Sequence, residues 1–403
     1  MIDLTRRTLA ATPLVLATSW ARAADAVDAW PDATALAAAI RRGETTALAA
    51  VQAAIARAQA VQPAFGAISN SDFDRALATA AAGATAGPFA GVPFLAGGRG
   101  SAAPFAELGF VTIGAAAPFP PARNPWRPAR GGGGVAAGAA AAVAVGITPL
   151  AYANEVGGGL RWAASTTGLF GLKPSRARMR QDRDRRRLSD HGVAHVLTRS
   201  VRDSAAVFVA LQDTAPGSAL PPVEFIARPS NRRLRIGLVT QSTTGKQPSA
   251  EVQAAVDDAV GLLAKSGHRI IPTRWPARPE FVEDFFALSG PDGAQALERI
   301  YRDTVAYDPW FVGQHLDLIL SPVQGDATAP VADLRSEDHS YTAYHSMVGA
   351  PAMSVPVHWT AGGLPIGVQV FGRVGAEATL FDLAYQLEAV RPWRDRHPQI
   401  AIG

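Results

Sequence analysis

Apolar positions along this chain recur with two different periods, one typical of helices and one of strands. From Asp32 to Gln62 they follow a helical period, and Gly43 and Thr46 mark a break with a good N-cap. Short apolar runs between turn residues predict buried strands. The spacing predicts further helices over residues 72–82, 133–144, 200–212, 251–266 and 377–390, and strands over residues 91–96, 146–152, 234–239, 268–272, 316–322, 351–357 and 367–372.

The order of these elements indicates the fold class. Strands that alternate with helices favour an α/β domain with a central mixed, mainly parallel sheet covered by helices on both faces. The helix over residues 133–144 consists of small residues, which suits close packing of backbones. No internal repeat and no linker-like shift in composition interrupts the chain. We therefore expect one large domain over residues 24–403.

The first 23 residues are predicted to be a targeting segment. Arg6 and Arg7 precede a short, weakly apolar run, and Ala21, Arg22 and Ala23 form an A-x-A cleavage pattern. This combination is typical of a twin-arginine signal peptide. The run is too short for a permanent membrane anchor, and no other stretch is long and apolar enough to span a bilayer. We expect a periplasmic or secreted protein; an amphipathic N-terminal helix is the alternative.

Composition and charge narrow the choice of partners. The net charge of +4 falls to +2 once residues 1–23 are removed, because they carry three arginines and one aspartate. A nearly neutral protein gives no reason to expect nucleic acid or membrane surfaces as partners. The chain has no cysteine, which excludes disulfides and thiolate metal sites. Its only lysines are Lys173, Lys246 and Lys265.

Three segments occur in an order that identifies a family. They are residues 91–95 (GVPFL), residues 124–126 (NPW) followed by glycines at 131–134, and residues 157–161 (GGGLR) followed by GLFGLKP at 168–174. Residues 195–203 and 349–369 add to the same pattern. Together these segments resemble the amidase-signature enzymes over nearly the whole mature chain. The resemblance implies the amidase-signature fold and a hydrolase that acts on amide or ester carbonyls.

In that family a serine attacks the carbonyl carbon of the substrate. The resemblance implies that a second serine, held by a cis peptide bond, connects the nucleophile to a lysine base. It also implies that backbone N–H groups just before the nucleophile form an oxyanion hole. The chemistry needs all three side chains, because an unactivated serine hydroxyl is a poor nucleophile.

Transferring these roles to the present sequence leaves every triad position without a functional group. The lysine position falls on Gly97, the bridging-serine position on Val135 and the nucleophile position on Gly159. No lysine precedes Lys173, which lies in a turn where the family uses lysine structurally. Loss of the nucleophile from a serine-hydrolase triad lowers the rate on the order of 10⁶-fold. The sequence therefore predicts a degenerate catalytic triad.

The remaining binding candidates surround the former nucleophile. A turn with oxyanion-hole-like backbone N–H groups is expected at Val156, Gly157, Gly158 and Gly159. Such a hole alone gives residual catalysis of roughly 10³ to 10⁴ over water. Four side chains flank the turn, either as structural supports or as ligand contacts: Asn154, Glu155, Arg161 and Ser165. Ser165 is in addition a candidate substitute nucleophile.

Two further clusters have both a functional and a structural interpretation. Seven arginines within residues 176–187 form either an anion-binding loop or a solvated loop that two aspartates partly neutralise. His191 and His195 have the i,i+4 spacing of a metal pair, but Gly192 lies between them and the resembling family uses this segment without metal. Walker loops and dinucleotide fingerprints do not occur in the sequence. We expect neither a metal nor a cofactor.

The sequence thus predicts an exported amidase-signature protein that is a pseudoenzyme. Two roles stay open: binding of a small amide- or carboxylate-bearing ligand, and support of a protein partner. The chain also looks shortened, since only 25 residues separate Gly98 from Asn124 in a passage that is longer in the family. An active amidase or esterase with a rearranged site is the alternative. A relic without a selected role is a third hypothesis.

Overall fold

The computed structural model describes residues 30–83, 85–97, 101–117, 122–128, 134–182, 191–326 and 339–399. The predicted signal peptide and the arginines within residues 183–187 lie outside these ranges. The described residues from Asp32 onward belong to one compact unit.

Eleven strands of the described residues form one sheet. They are β1 (Ile68–Ser71), β2 (Pro93–Ala96), β3 (Val111–Ala116), β4 (Leu150–Glu155), β5 (Phe170–Lys173), β6 (Val193–Thr198), β7 (Arg235–Leu238), β8 (Arg269–Pro272), β9 (Leu318–Pro322), β10 (Ala352–Trp359) and β11 (Pro365–Gly372). Their order across the sheet is β1-β3-β2-β4-β6-β5-β10-β11-β9-β7-β8.

The expected mixed sheet is confirmed, but its predicted parallel majority is wrong. Of the ten neighbouring pairs in this sheet, six are antiparallel. The four parallel pairs join β2 to β3 and β4, and β7 to β8 and β9. The apolar pattern missed β1, β3, β5 and β6, and every pair that contains β1, β5 or β6 is antiparallel. In addition, the short connection between β10 and β11 makes them a hairpin, which only antiparallel strands form.

Twelve α-helices lie within the described residues. They are α1 (Ala33–Arg41), α2 (Ala47–Phe65), α3 (Phe73–Ala81), α4 (Ala103–Ala106), α5 (Ala137–Ala144), α6 (Gly159–Thr167), α7 (Val201–Leu211), α8 (Ala250–Lys265), α9 (Phe281–Ala287), α10 (Gly293–Gln314), α11 (His339–Val348) and α12 (Glu377–Val390). The predicted break between the first two is confirmed: the Thr46 hydroxyl accepts the Ala49 N–H at 3.0 Å and caps α2. None of the described helices combines the length and the hydropathy needed to cross a membrane.

Helices cover both faces of the sheet, as predicted. Successive strand residues point to opposite sides. Phe94 and Val196 belong to a core that includes residues of α7, α8 and α12, whereas Leu95 and Leu197 belong to a core that includes residues of α2, α5 and α6. The small residues of α5 are all buried, as close backbone packing requires.

Candidate functional site

The carboxyl ends of three parallel strands meet at one edge of the sheet. Because β2 runs parallel to both β3 and β4, the residues after Ala96, Ala116 and Glu155 emerge on the same side. Ligands of α/β proteins bind preferentially at such edges. A cavity of about 590 Å3 lies here. It is lined by Ser69, Asn70, Asp72, Arg75, Ala96, Gly97, Ala102, Thr112, Gly114, Ala115, Ala116, Ala117, Val135, Ala136, Ala139, Tyr152, Ala153 and Asn154.

Gly97, the predicted lysine position, follows β2 directly and lies against the ring of Tyr152. A Cβ atom on Gly97 would stand 2.5 Å from Tyr152 Cε1, far inside contact distance. The ring also packs edge-to-face against Phe105, with 5.9 Å between the ring centroids. The Gly97 N–H donates to Ser101 Oγ at 2.8 Å. An aromatic ring therefore occupies the volume into which a side chain at position 97 would extend.

Val135 and Gly159 are neighbours, as the resemblance implies for the two serine positions. Val135 lies in a 3-10 turn, Gly134–Ala136, that leads into α5, and Gly159 is the first residue of α6. A Cβ atom on Gly159 would stand 2.6 Å from Val135 Cγ2 and 4.0 Å from Val135 Cβ. The described residues contain only trans peptide bonds. A methyl group of Val135 thus fills the space beside the predicted nucleophile position.

The turn from Val156 to Gly159 has a backbone that favours glycine. The φ angle is +65° at Gly157 and +136° at Gly158, and L side chains rarely adopt either value. The Gly159 N–H donates to the Val156 carbonyl at 3.4 Å. The hydroxyl of Thr342 in α11 donates to the Gly157 carbonyl. The turn is therefore held by its own backbone and by α11.

Glu155 and Arg161 form a fully buried ion pair at 2.8 Å beneath this turn. Glu155 Oε2 also accepts the backbone N–H groups of Leu160 at 3.1 Å and of Arg161 at 3.3 Å. Arg161 donates to Gln369 Oε1 at 2.5 Å and to the Thr342 carbonyl at 3.0 Å. Burial alone would raise the pKa of Glu155, but the Arg161 charge beside it holds that pKa below its usual value. Arg161 thus connects α6 to β11 and α11, and Glu155 is bonded to α6 and, through Ser346, to α11.

The other two flanking side chains differ in access. Asn154 is exposed and lines the cavity, where its Oδ1 accepts a hydrogen bond from Tyr152 Oη at 3.0 Å. Ser165 is fully buried in α6. Its Oγ accepts the Gly367 N–H at 3.0 Å and donates to the Gly367 carbonyl at 3.4 Å. Ser165 therefore belongs to the contact between α6 and β11, and it is not among the described residues that line the cavity.

Lys173 is buried at the end of β5. Its Nζ donates to the carbonyls of Ala350 at 2.7 Å and Pro174 at 2.8 Å. Burial, and then the positive charge of Arg161, lower the pKa of Lys173 to about 7. The lysine fixes the segment before β10 against β5, which agrees with the structural role expected from the sequence.

The two histidines with metal-like spacing lie in different surroundings. His195 is buried on β6, where its Nε2 lies 2.9 Å from Ser204 Oγ, and burial lowers the pKa of His195 to about 4. The ring of His191 packs edge-to-face against Phe285, with 6.1 Å between the centroids. Within the described ranges, no three His, Asp or Glu side chains are grouped as metal ligands would be.

The first arginines of the run at residues 176–187 make structural contacts. Arg176 donates to the Ser346 carbonyl at 3.2 Å. Arg178 is buried and pairs with Glu377 at 3.2 Å, which joins this segment to α12. Because the arginines within residues 183–187 lie outside the described ranges, an anion-binding loop there stays a prediction.

Sequence comparison establishes the family. A sequence model of the amidase family matches residues 102–314. AmiC of Mycobacterium tuberculosis (strain ATCC 25618 / H37Rv), a protein named as an amidase, is 33% identical over 92% of this chain and 97% of its own length. The 6-aminohexanoate-cyclic-dimer hydrolase of Pseudomonas sp. (strain NK87) is 28% identical over 93% of this chain and 97% of its own length. The chain belongs to the amidase family.

Solved structures of amidase-signature enzymes share this fold. A 6-aminohexanoate cyclic dimer hydrolase in complex with substrate superposes with a TM-score of 0.80, at 25% identity over 92% of this chain and 99% of that chain. The peptide amidase from Stenotrophomonas maltophilia superposes with a TM-score of 0.78, at 21% identity and the same coverage. The alignment with AmiC extends over 458 positions, whereas this chain has 403 residues. AmiC therefore carries segments that this chain lacks.

Tyr152 is the site residue that the sequence pattern missed. The pattern predicts a strand that ends at Tyr152, whereas β4 spans Leu150–Glu155. Tyr152 and Asn154 are therefore two residues apart on one strand, and such residues share a face. The alternation of side chains along a strand is thus the sequence signal that could have placed Tyr152 and Asn154 in the same cavity.

Proposed function

We propose that this chain is a non-hydrolytic member of the amidase family that binds a small amide- or carboxylate-bearing ligand beside the former catalytic positions. One observation carries the proposal: the Tyr152 ring and a Val135 methyl group fill the space next to Gly97 and Gly159. Neither a methyl group nor a bare glycine attacks a carbonyl or accepts a proton. The family mechanism needs a nucleophile, a bridging hydroxyl and a base, and none of the three positions supplies one.

The described residues give little support to an active hydrolase with a rearranged site. Ser165 was the candidate nucleophile, but its buried hydroxyl is already bonded to Gly367 on β11. The buried Lys173 has a lowered pKa that would suit a base, yet its Nζ is bonded to two backbone carbonyls. Neither group lines the cavity.

Turnover and active-site labelling test this proposal directly. We expect purified protein to release no product from a panel of amides and esters, and to resist labelling by a serine-reactive fluorophosphonate. Turnover that a single substitution such as Ser165→Ala abolishes would favour the rearranged hydrolase instead.

Reconstruction of the triad gives a second test. Gly97→Lys, Val135→Ser and Gly159→Ser together restore the family side chains, but the lysine would collide with the Tyr152 ring. We expect this triple variant to be less stable than the same variant with Tyr152→Ala added, and any gain of amide turnover to occur only in the quadruple variant. If the triple and the quadruple variant were equally stable, the Tyr152 ring would not occupy the space that a lysine at position 97 needs.

We also propose that the mature protein acts outside the cytoplasm. The supporting features are the paired Arg6 and Arg7, the weakly apolar run after them, and the A-x-A pattern that ends at Ala23.

A further inference from the structure

The three glycines at 157–159, in the turn between β4 and α6, are buried, and aromatic rings cover the first two. A Cβ atom on Gly157 would stand 3.0 Å from Phe285 Cζ, and one on Gly158 would stand 2.7 Å from Trp162 Cε2. None of the three glycines is among the described residues that line the cavity at the ends of β2, β3 and β4. A ligand in that cavity therefore does not reach this turn while the rings stay in place.

The turn contains two backbone donors that lack an acceptor. None of the described residues accepts a hydrogen bond from the N–H of Gly157 or Gly158, whereas the Gly159 N–H is bonded to the Val156 carbonyl. Buried N–H groups without a partner are rare, because each costs free energy comparable to a lost hydrogen bond. Successive N–H groups of a turn form a concave site that suits an oxygen acceptor. We therefore expect these two donors to gain an acceptor in a second, open state.

The ring on Gly157 comes from a short helix outside the sheet. This helix, α9 (Phe281–Ala287), has seven residues and packs mainly against α10 and α11. Trp162, in contrast, belongs to α6, which packs directly on four strands. Irregular segments flank α9, and the one after it contains Gly290 and Gly293. Because hinge motions need only a few such loop residues, α9 can move without breaking any strand pairing.

Four charged side chains hold α9 in its present position. Asp284, in the first turn of α9, accepts hydrogen bonds from Arg299 Nε of α10 at 2.7 Å and from Arg278 Nη2 at 2.9 Å. Arg278 also donates to Asp303 of α10 at 2.9 Å. Burial alone would raise the pKa of Asp284, but the bonds from the two arginines hold that pKa below its usual value. Both arginines are more than one third exposed, so water can replace these bonds when the helix moves.

We infer that α9 is a lid that opens and closes over the triple-glycine turn, with the Phe285 ring lying on Gly157 and the ion cluster around Asp284 holding the closed state. The inference rests on the proposed ligand-binding function, since it assigns the control of ligand access to the same site. In the open state, the N–H groups of Gly157 and Gly158 can donate to a carbonyl or carboxylate oxygen.

Hydrogen–deuterium exchange followed by mass spectrometry tests the lid on the full-length protein. Peptides that cover the turn (residues 156–160), α9 and α12 are compared between the wild type and Asp284→Asn, which keeps the shape of the side chain and removes its charge. We expect exchange in the turn and in α9 to become about tenfold faster or more, because hydrogen bonds to charged groups contribute that much to an equilibrium. Exchange in α12 should not change, since local opening leaves the rest of the fold intact.

Two further variants separate the ion cluster from the covering ring. Glu283→Gln removes an exposed carboxylate from the same first turn of α9 and should exchange like the wild type. Phe285→Ala keeps the ion cluster and uncovers Gly157, so exchange should rise more in the turn than in α9.

The outcomes separate this inference from the proposed function. If Asp284→Asn leaves exchange in the turn unchanged, if it accelerates exchange in α12 to the same extent, or if Glu283→Gln has an equal effect, the lid inference is wrong while the non-hydrolytic function stands. Turnover of amides by the wild type would instead overturn the non-hydrolytic function and leave the closure of the turn by α9 in place.

Discussion

At the residue scale, two pairs of residues define the surroundings of the predicted triad positions. Each glycine at a predicted triad position faces a neighbour that fills the adjacent volume: Tyr152 beside Gly97, and Val135 beside Gly159. A side chain added where a neighbour already lies forces that neighbour to move, and the cost is smaller where the neighbour is exposed, as Val135 is at 51%. The two pairs predict that restoring one residue alone conflicts with its neighbour.

The pair at position 159 gives a measurable conflict. Gly159→Ser places a Cβ atom 2.6 Å from Val135 Cγ2; because Val135 is 51% exposed and can shift, we expect a loss of about 1 kcal/mol in the free energy of unfolding, at the low end for overpacking. Val135→Ala removes the colliding methyl group, and the double variant should recover most of that loss in urea denaturation. If the double variant lost as much stability as the two single variants together, contact between positions 135 and 159 would not explain the loss.

At the element scale, the turn between β4 and α6 is built by side chains that never reach the cavity. Glu155 accepts the first N–H groups of α6, and Arg161 joins the same helix to β11 and α11. The geometry of this turn therefore does not depend on functional side chains at the predicted triad positions. The sequence placed Glu155 and Arg161 beside the turn but left open whether they bind a ligand. That question depends on whether the side chains are buried, and burial is decided by how the helices and strands pack.

Breaking the buried pair tests this structural role. Glu155→Gln leaves the Arg161 charge unpaired in the core, which costs about 3–5 kcal/mol. We expect urea denaturation to show a loss of that size. The double variant Glu155→Gln, Arg161→Met should be more stable than Glu155→Gln alone. If the double variant were less stable than Glu155→Gln alone, the remaining hydrogen bonds of Arg161 would stabilise the fold even without Glu155.

The contact between β5 and the segment before β10 predicts a pH dependence. The pKa of Lys173 is about 7 in the fold against 10.5 in the unfolded chain. Between these values the unfolded chain binds a proton that the folded protein lacks, so the free energy of unfolding should rise with pH, by up to about 1.4 kcal/mol per pH unit.

Denaturation at several pH values checks this prediction with a matched pair of variants. Lys173→Met should remove the rise between pH 7 and pH 10.5, whereas Lys265→Met, an exposed lysine in the last turn of α8, should retain it. A Lys173→Met profile parallel to the wild type would show that other groups cause the slope.

At the scale of the whole molecule, the amidase fold persists in a chain shorter than its alignment with AmiC. The sheet keeps two separate groups of parallel strands, and the cavity lies at one of them. The same fold thus occurs in relatives whose chains differ in length by whole segments.

The N-terminus predicts where the whole molecule acts. Residues 1–23 fused to a folded reporter should direct it to the periplasm of a bacterium with the twin-arginine pathway, and Arg6→Lys with Arg7→Lys should abolish that export. Arg22→Lys preserves the charge near the cleavage pattern and should export normally. Export that survives the double substitution would rule out the twin-arginine route.

The sequence by itself determined the family, the helix-covered sheet and the identities at positions 97, 135 and 159, because motif order and apolar period are local properties of the chain. Strand direction and the space around Gly97 and Gly159 were decided only by the tertiary structure. Antiparallel pairing of β5 and β6 and the contact of Tyr152 with Gly97 join residues far apart in sequence. Such contacts depend on how the strands pair, and no local pattern contains that information.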